Sequence, residues 1–319
     1  MKRLSLLLLG AGCLLGCRKD DLLFVADDGV PPLTAMLRAN APAVQVFRFA
    51  LNQPQALRTA AGATLRFPAN AFRLSNSQTP AIGQAELWVR EIYAVPDMVL
   101  ASMPTTAASG THLISGGEFT IQAWQGTTRL RLPATVAATG AVQGGLVLIS
   151  PVPAAGLDTT RMQLWQLPPR PFLSSTPDSS GWTTPSLPVW LAPATAGHYT
   201  VALPLDSIGT WNIDQFWHTY QGNSTANVTV EVPPAIETRV YFRPVGFNGL
   251  ARCFTSSAAP TRWECRLPVG APVVAVVLQT RGGRLYYATQ VVTVQAGQVL
   301  QPQLQALSEA EIIRRIRQL

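Results

Sequence analysis

Short runs of alternating apolar and polar residues, separated by turn-forming residues, restrict this chain to β-structure. The 319 residues include 26 Pro and 24 Gly. Proline removes a backbone donor and fixes φ, so long regular elements are interrupted repeatedly. Strand-like runs with a period of two include VQVFRFAL, GQAELWVREIY, GGEFTIQAW, ANVTVEV and GRLYYATQVVTV. Many short strands between frequent turns predict an all-β fold of the β-sandwich type.

The order of these runs predicts two β-sandwich-like domains. Residues 168–196 are rich in Pro and Ser, which are unsuited to a central strand, and they predict a linker or a long loop. This stretch separates an N-terminal sandwich at 41–167 from a C-terminal sandwich at 197–306. Residues 17–40 show no long period and predict a tether.

The last residues, 307–319, predict a short C-terminal helix. Ser308 and Glu311 have the spacing of a capping box. The apolar residues that share one helical face are Ile312, Ile313, Ile316 and Leu319. We expect this face to pack on the second sandwich. A docking helix for a partner is the alternative.

The first residues, 1–16, predict a secretory signal peptide. Lys2 and Arg3 precede an apolar run, and the small residue Gly16 precedes Cys17. The apolar run is about a dozen residues long, whereas a spanning helix needs about 20. The run is therefore too short for a stable transmembrane anchor.

The end of this segment, Leu14-Leu15-Gly16-Cys17, resembles the lipobox of bacterial lipoproteins. The resemblance implies cleavage before Cys17 and acylation of its thiol, as in palmitate-bearing lipoproteins. Several acyl chains hold a protein firmly on a membrane, whereas one chain anchors it only marginally. The alternative is an ordinary signal peptide followed by an incidental cysteine.

The residues after Cys17 resemble a second targeting signal. After Lys2, Lys19 is the only lysine in the chain. Lys19, Asp20 and Asp21 resemble the export signal of surface lipoproteins in Bacteroidota-type bacteria. The resemblance implies a lipid-anchored protein of the outer membrane that faces the cell exterior. The alternative is a charged tether without an export role.

Internal stretches carry a further resemblance, over about half of the chain. GATLRFPANAF, GQAELWVREIY, SGTHLISGGEFTIQAW and LDSIGTWNIDQF resemble a domain of Bacteroidota surface proteins that have no assigned activity. That domain is loosely similar to the sandwich of ankyrin and zonula-occludens-type scaffolds. Thr210 separates Gly209 from Trp211, and Ile213 stands where the pattern has cysteine. The resemblance implies architecture and envelope location but no chemistry.

Charge gives little indication of a partner. Charged residues make up 13% of the chain, the precursor carries +7, and loss of Lys2 and Arg3 leaves +5. The basic residues are scattered singly and do not alternate with aromatic residues, as they would on a nucleic-acid surface. We therefore expect no nucleic-acid partner. The expected partners are the membrane, through lipid on Cys17, and a glycan or another envelope protein.

Two cysteines remain once Cys13 is removed with the signal peptide and Cys17 is lipidated. Cys253 and Cys265 flank a turn-like segment, which predicts a hairpin disulfide outside the reducing cytosol. Closing such a loop contributes about 3 kcal/mol in the chain-entropy model. A pair of metal-binding thiols is the alternative, but no further Cys or His lies nearby in the sequence.

No motif predicts catalysis, a metal or a cofactor. The Gly-x-Ser-x-Gly pattern of serine hydrolases is absent, and the histidines lack ligand spacing. Ser115 near His112 is better explained as part of a strand that ends in a turn. Glu86, Glu91 and Glu118 lie on predicted strands, and we expect them to face solvent. The sequence therefore predicts no catalytic residues and no enzyme.

Tryptophans give one further binding hypothesis. Exposed indoles stack on sugar rings, and the possible glycan contacts are Trp182, Trp190, Trp211 and Trp217. Large aromatic residues more often seal a core.

The sequence as a whole predicts a non-catalytic outer-membrane surface lipoprotein with a binding, adhesion or envelope-scaffold role. The alternatives are a carbohydrate-binding accessory lipoprotein of a glycan-uptake system and an envelope hydrolase.

Overall fold

Antiparallel strands dominate the computed structural model, which confirms the all-β prediction. The structure describes residues 31–319 except 76, 133, 137–141, 153–158, 168–180, 186–189, 196, 204–208, 218–223 and 257. The predicted signal peptide, Cys17 and the Lys19-Asp20-Asp21 address lie outside the described residues. No helix in the described part of the chain is long and apolar enough to cross a membrane.

The strands and helices are numbered in chain order. The strands are β1 (Gln45–Ala50), β2 (Gln55–Arg58), β3 (Thr64–Phe67), β4 (Arg73–Leu74), β5 (Gln84–Ile92), β6 (Leu113–Gln125), β7 (Thr128–Arg131), β8 (Ala134–Val136), β9 (Val142–Gly144), β10 (Leu146–Pro151), β11 (Gln163–Leu167), β12 (Trp190–Thr195), β13 (His198–Leu203), β14 (Thr210–Phe216), β15 (Thr225–Glu231), β16 (Glu237–Pro244), β17 (Ala251–Arg252), β18 (Arg262–Pro268), β19 (Pro272–Arg281), β20 (Arg284–Thr293), β21 (Val299–Leu300) and β22 (Gln305–Ala306). The helices are α1 (Pro32–Asn40), α2 (Val95–Leu100), α3 (Glu309–Ile316) and a 3-10 turn at Thr159–Arg161.

The first sandwich packs a sheet in the order β1-β5-β6-β14-β11, extended by β4 and β7, against a sheet in the order β12-β13-β10-β3-β2. One apolar core joins their inner faces; it includes Leu65 and Leu148 from one sheet and Leu87, Ile121 and Ile213 from the other. Alternation along each strand places these residues inward, as the sequence pattern predicts.

The second sandwich packs a three-stranded sheet, β18-β15-β21, against a sheet in the order β17-β16-β19-β20-β22. Val228 and Leu267 from the smaller sheet meet Phe242, Ala275 and Val277 from the larger one in a second core. Residues 31–319 form one compact unit that contains both cores.

Strand pairing shows that the first sandwich continues past residue 197, where we predicted that the second sandwich begins. Strands β13 and β14 follow that position, yet they pair with β10 and β6 of the first sandwich. The predicted linker also contributes strand β12, which includes Pro193 and pairs with β13 at a sheet edge. Proline is tolerated at an edge because one side of such a strand makes no ladder bonds. The Pro- and Ser-rich composition of this stretch therefore does not predict strand β12.

Three helices cover the outer face of the larger sheet in the second sandwich. Val274, Val276 and Leu278 of β19 form a third cluster with residues of α1, α2 and α3. The predicted C-terminal helix is confirmed at α3: Ser308 accepts a hydrogen bond from the Glu311 backbone N–H at 3.3 Å. Its residues Ile312 and Ile316 are buried against the sheet, as expected.

Helix α1 corrects the predicted tether over Pro32–Asn40. Its residues Leu33, Met36 and Leu37 are buried in the helical cluster, so this segment belongs to the folded body. The sequence pattern misses the helix because it has only nine residues and begins at Pro32, the second residue of a Pro-Pro pair. Pro is favourable at the first helical position, where its missing N–H is not needed.

A buried carboxylate holds the start of α1. Glu237 Oε2 accepts a hydrogen bond from the Thr34 backbone N–H at 3.1 Å, and Glu237 also bonds the Thr34 hydroxyl. Arg239 Nη2 lies 2.6 Å from Glu237 Oε1, and both side chains are almost fully buried. The negative charge therefore faces the positive end of the helix dipole and a paired guanidinium.

We predict that Glu237→Ala lowers the free energy of unfolding by about 3 kcal/mol, because it leaves the buried Arg239 charge without its partner. Denaturant unfolding followed by circular dichroism measures this change. Arg314→Ala is the matched control: Arg314 is exposed, and its partner Glu311 keeps a second contact to Arg315 at 2.8 Å. A loss for the Glu237 variant no larger than that for the control would contradict the anchoring role.

Candidate functional site: a buried thiol–imidazole cluster at the junction of the sandwiches

The segment before β6 is hydrogen-bonded to the second sandwich. Thr105 donates its backbone N–H to Leu250 O at 2.9 Å, and Leu250 donates its own N–H to Thr105 Oγ1 at 2.9 Å. A Cβ on Gly249 would lie 2.7 Å from the backbone oxygen of Leu113. Only glycine allows this approach of the two backbones, so the junction is closely packed.

This junction brings together Thr106, His112, Cys253 and Cys265, here called the thiol–imidazole cluster. His112 Nε2 lies 2.9 Å from the Arg266 carbonyl oxygen and 3.5 Å from Cys265 Sγ. His112 Nδ1 lies 3.4 Å from Thr106 Oγ1. The imidazole therefore contacts a carbonyl, a sulfur and a hydroxyl, and it is held in one orientation.

The predicted disulfide is wrong in this structure: Cys253 and Cys265 are buried free thiols. The two sulfurs interact without a covalent bond. Cys265 Sγ also lies 3.6 Å from the Arg252 carbonyl oxygen, in the position of a thiol donor. Packing against His112 and Arg252 holds this sulfur in a non-covalent contact that the cysteine spacing does not reveal.

The surroundings of the two thiols shift their pKa values in opposite directions. Burial alone raises the pKa of the Cys265 thiol, but the hydrogen bond with Cys253 and the charge and hydrogen bond of His112 outweigh it and lower the pKa to about 6. Burial lowers the pKa of His112, but interaction with Cys265 and the Arg266 carbonyl raises it above its ordinary value. Burial raises the pKa of Cys253 well above the usual range. Cys265 is therefore the more acidic of the two thiols, and Cys253 stays a neutral thiol.

A thiol beside an imidazole that a third group orients is the arrangement of nucleophilic catalysis. Access is limited, because Cys265 is 4% exposed and His112 is 6% exposed. A small cleft next to the cluster is lined by Thr106, Trp182, Arg252 and Phe254 among others. No group of three or more His, Cys, Asp or Glu in the described part of the chain is arranged to hold a metal ion.

A second polar group, the carboxyl cluster, comprises Ser115, Glu118, Asn212 and Asp214 on neighbouring strands β6 and β14. Ser115 Oγ donates to Asn212 Oδ1 at 2.8 Å, and Asn212 Nδ2 donates to Asp214. Neither oxygen of Glu118 has a hydrogen-bond partner among the described residues. A buried acid without partners is disfavoured in its charged form.

Glycine makes this cluster possible. The pairing of β6 with β14 shifts register between Asn212 and Asp214. Gly117, with φ of 140°, stands in β6 opposite this irregularity, where a Cβ would lie 2.8 Å from Tyr93 Cε1. The bulge lets β6 supply both Ser115 and Glu118 to one face of the sheet.

Our prediction that the strand carboxylates face solvent is wrong for Glu91 and Glu118, which are buried. Glu91 accepts hydrogen bonds from Thr59 Oγ1 at 2.7 Å and from Gln45 Nε2 at 2.8 Å. Burial raises the pKa of the Glu118 carboxyl well above its ordinary value, and the charge of Asp214 raises it further. Alternation locates the strands but does not tell which face is covered.

The tryptophans do not form an exposed row in the part of the chain that the structure describes. Trp211 lies in the first core, and Trp217 lies in the second. Trp182 is 1% exposed and donates its indole N–H to the Pro104 carbonyl oxygen at 2.8 Å. The side chain of Trp190 lies outside the described residues. Three of the four tryptophans are therefore buried in the protein core and are not exposed glycan contacts: Trp182, Trp211 and Trp217.

A polar surface groove of about 620 Å³ lies in the second sandwich, beside β15, β18 and the segment after β21. Glu231 lies on one wall, where it accepts a hydrogen bond from Gln301 Nε2 at 3.0 Å and lies 3.8 Å from Arg262. Arg281 lines the groove as well and stacks over the Tyr286 ring at 4.0 Å. The groove thus offers amide and guanidinium donors to a ligand.

Neither models of known protein families nor the curated proteins match this chain.

The sequence predicted neither the thiol–imidazole cluster nor the carboxyl cluster. His112 and Cys265 are separated by 153 positions, and no local spacing links them. Glu118 and Asp214 lie in GGEF and WNID, stretches that we singled out by resemblance without assigning them chemistry. A charged residue within an otherwise apolar strand core was the available signal in both stretches.

We predict that Glu118→Gln reduces the loss of stability with rising pH. The folded state holds the proton of Glu118 above the ordinary glutamate value of 4.5, so it binds more protons than the unfolded state there. Stability is therefore fully present below that value and falls as pH rises, by at most about 1.4 kcal/mol per pH unit for one carboxyl. Denaturant unfolding at a series of pH values measures the slope.

Glu264→Gln, at an exposed position of β18, is the control for this experiment. Equal pH slopes for the Glu118 variant and the parent would contradict the raised pKa.

We also predict that His112→Gln raises the pKa of the Cys265 thiol from about 6, because the charge and hydrogen bond of the imidazole are lost. Thiolate ultraviolet absorbance reports Cys265 when chains with and without the His112 change are compared in the same Cys253→Ser background, because Cys253 also lowers the pKa of Cys265. His198→Gln changes an exposed histidine and should leave the titration in place. An unchanged titration in the His112 variant would show that the two side chains are not coupled.

Proposed function

We propose that this protein is a non-catalytic lipoprotein of the outer membrane, displayed on the cell surface, with a binding or scaffold role. The observation that carries the proposal is the order Leu14-Leu15-Gly16-Cys17 followed by Lys19-Asp20-Asp21, a short distance before the folded body starts at α1. A lipid on Cys17 would hold that body close to the membrane.

The packing of the body supports a scaffold role. Its polar clusters are enclosed at the junction and within the first sandwich, and their side chains are buried from solvent. The side chain of Asn248 joins the two sandwiches by donating to the carbonyl oxygens of Tyr93 at 3.0 Å and Ser115 at 2.8 Å. A closely joined pair of sandwiches suits a protein that presents fixed surfaces to partners.

A carbohydrate-binding accessory role is the second candidate, and the polar groove favours it. Arg262, Arg281 and Gln301 offer donors to sugar hydroxyls in a concave site. A glycan-array screen of the parent beside an Arg262→Ala, Gln301→Ala double variant tests this role. Binding that is lost in the double variant would support it, and the absence of any bound glycan would reject it.

The envelope-hydrolase alternative rests on Cys265 and His112. Their contact supplies a nucleophile and a base, but their burial leaves little room for a substrate. Ester, thioester and peptide substrates assayed with the parent and a Cys265→Ser variant test the alternative. Turnover that requires Cys265 would overturn the non-catalytic proposal.

We predict that a variant with Lys19→Ala, Asp20→Ala and Asp21→Ala stays on the periplasmic side of the outer membrane. A receptor can distinguish lysine from arginine, since they differ in donor geometry and hydration. Protease shaving of intact cells should release the parent and spare the variant. The melting temperature should not change, because the substitutions precede the folded body.

Asp27→Ala with Asp28→Ala is the matched control, because it removes two acids from the same segment outside the predicted address. The control should be shaved like the parent. Equal shaving of the triple variant and the parent would reject the export address.

A further inference from the structure

Strand β20 has an edge along its second half that no other strand of the described residues covers, here called the open edge. It pairs with β19 over its full length, from Arg284 to Thr293. On the other side it pairs with β22 only at Tyr286 and Tyr287. No described strand pairs with the free side of residues 288–293. An unpaired edge of this length is a template for another strand.

The hydrogen bonds around β20 show which backbone groups face this edge. Leu285 O accepts from Leu307 N–H at 3.1 Å on the β22 side. Val294 N–H and O bond Ala271 and Gly270 on the β19 side, at 2.9 Å each. Backbone groups of successive residues alternate between the two sides of a strand. The N–H and C=O groups of Thr289, Val291 and Thr293 therefore point to the open edge.

The open edge lacks the usual protection against pairing. Exposed edges commonly carry lysine, proline or inward charges that block a second strand. Residues 288–293 read Ala-Thr-Gln-Val-Val-Thr, without charge or proline. Val291 is 73% exposed, and Thr289 and Thr293 are exposed as well. These residues offer both backbone and side-chain contacts to an added strand.

We propose that a second copy of this chain pairs with the open edge of β20, antiparallel and around a two-fold axis at Val291. In this register Val291 lies opposite Val291 of the other copy, and Thr289 lies opposite Thr293. Each opposed pair exchanges two backbone hydrogen bonds, because all three residues direct these groups outward. The larger sheet of the second sandwich becomes continuous across the dimer.

The chemistry of the edge favours a second copy over a different partner. A two-fold axis places a residue opposite itself or its near neighbours, so any charge would meet a like charge. The segment is uncharged throughout, and the resulting Val–Val and Thr–Thr pairs stabilise antiparallel sheets. This inference concerns the folded body and does not depend on the proposed membrane role.

Cross-linking tests the register in the full chain. Hydrogen-bonded antiparallel pairs have Cα atoms about 5.5 Å apart, which is within disulfide reach. Val291→Cys should therefore give a covalent dimer on mild oxidation, seen on a non-reducing gel. Thr289→Cys is the matched control, because the two copies of that position would lie about 14 Å apart. The parent controls for Cys253 and Cys265, which are buried.

A second variant tests the contact without new chemistry. Val291→Lys places two ammonium groups opposite each other and should convert the dimer to a monomer in analytical ultracentrifugation. The monomer should remain folded, with the circular dichroism spectrum of the parent, since Val291 is largely exposed. Val291→Thr should keep the dimer.

Three results would overturn the proposal. The first is a Val291→Cys chain that cross-links no more than the Thr289→Cys chain. The second is a covalent adduct with a different protein, which would assign the edge to another occupant. The third is an unchanged mass for Val291→Lys.

Discussion

Burial of β19 on both faces is the constraint on which the rest of this body depends. Val273, Ala275 and Val277 face the second core, so the alternate residues Val274, Val276 and Leu278 face outward. An apolar outer face on a sheet must be covered. The chain covers it with three helices taken from its start, from its first sandwich and from its end. One strand thereby ties distant parts of the chain to a single layer.

The three helices that cover this face are also held to one another by polar contacts. Arg317, beside α3, pairs with Asp97 of α2 and donates to the Asn40 carbonyl oxygen at 3.3 Å. Asn40 in turn donates to Glu309 at 3.2 Å. Each exposed contact is weak on its own. Together they fix the helices in the positions where their apolar faces meet the sheet.

The sequence predicts the strands, the two cores and the C-terminal helix, because alternation and the capping box are local signals. It does not predict sheet membership: β13 and β14 follow the Pro-rich stretch but complete the first sandwich. The sequence does not predict the thiol–imidazole cluster for the same reason. His112 and Cys265 come together only where the two sandwiches pack at the junction. The sequence does not show that Glu118 is buried, because alternation does not tell which face of a strand packs against another layer. Local patterns define elements, whereas non-local pairing defines sites.

Helix α1 also bears on the proposed lipid anchor, because it fixes where the described body begins. Because the helix begins at Pro32, residues 18–31 separate Cys17 from it in the chain. A chain of that length spans about 50 Å even when fully extended. If Cys17 carries the lipid, the start of α1 therefore lies no farther than this span from the bilayer surface.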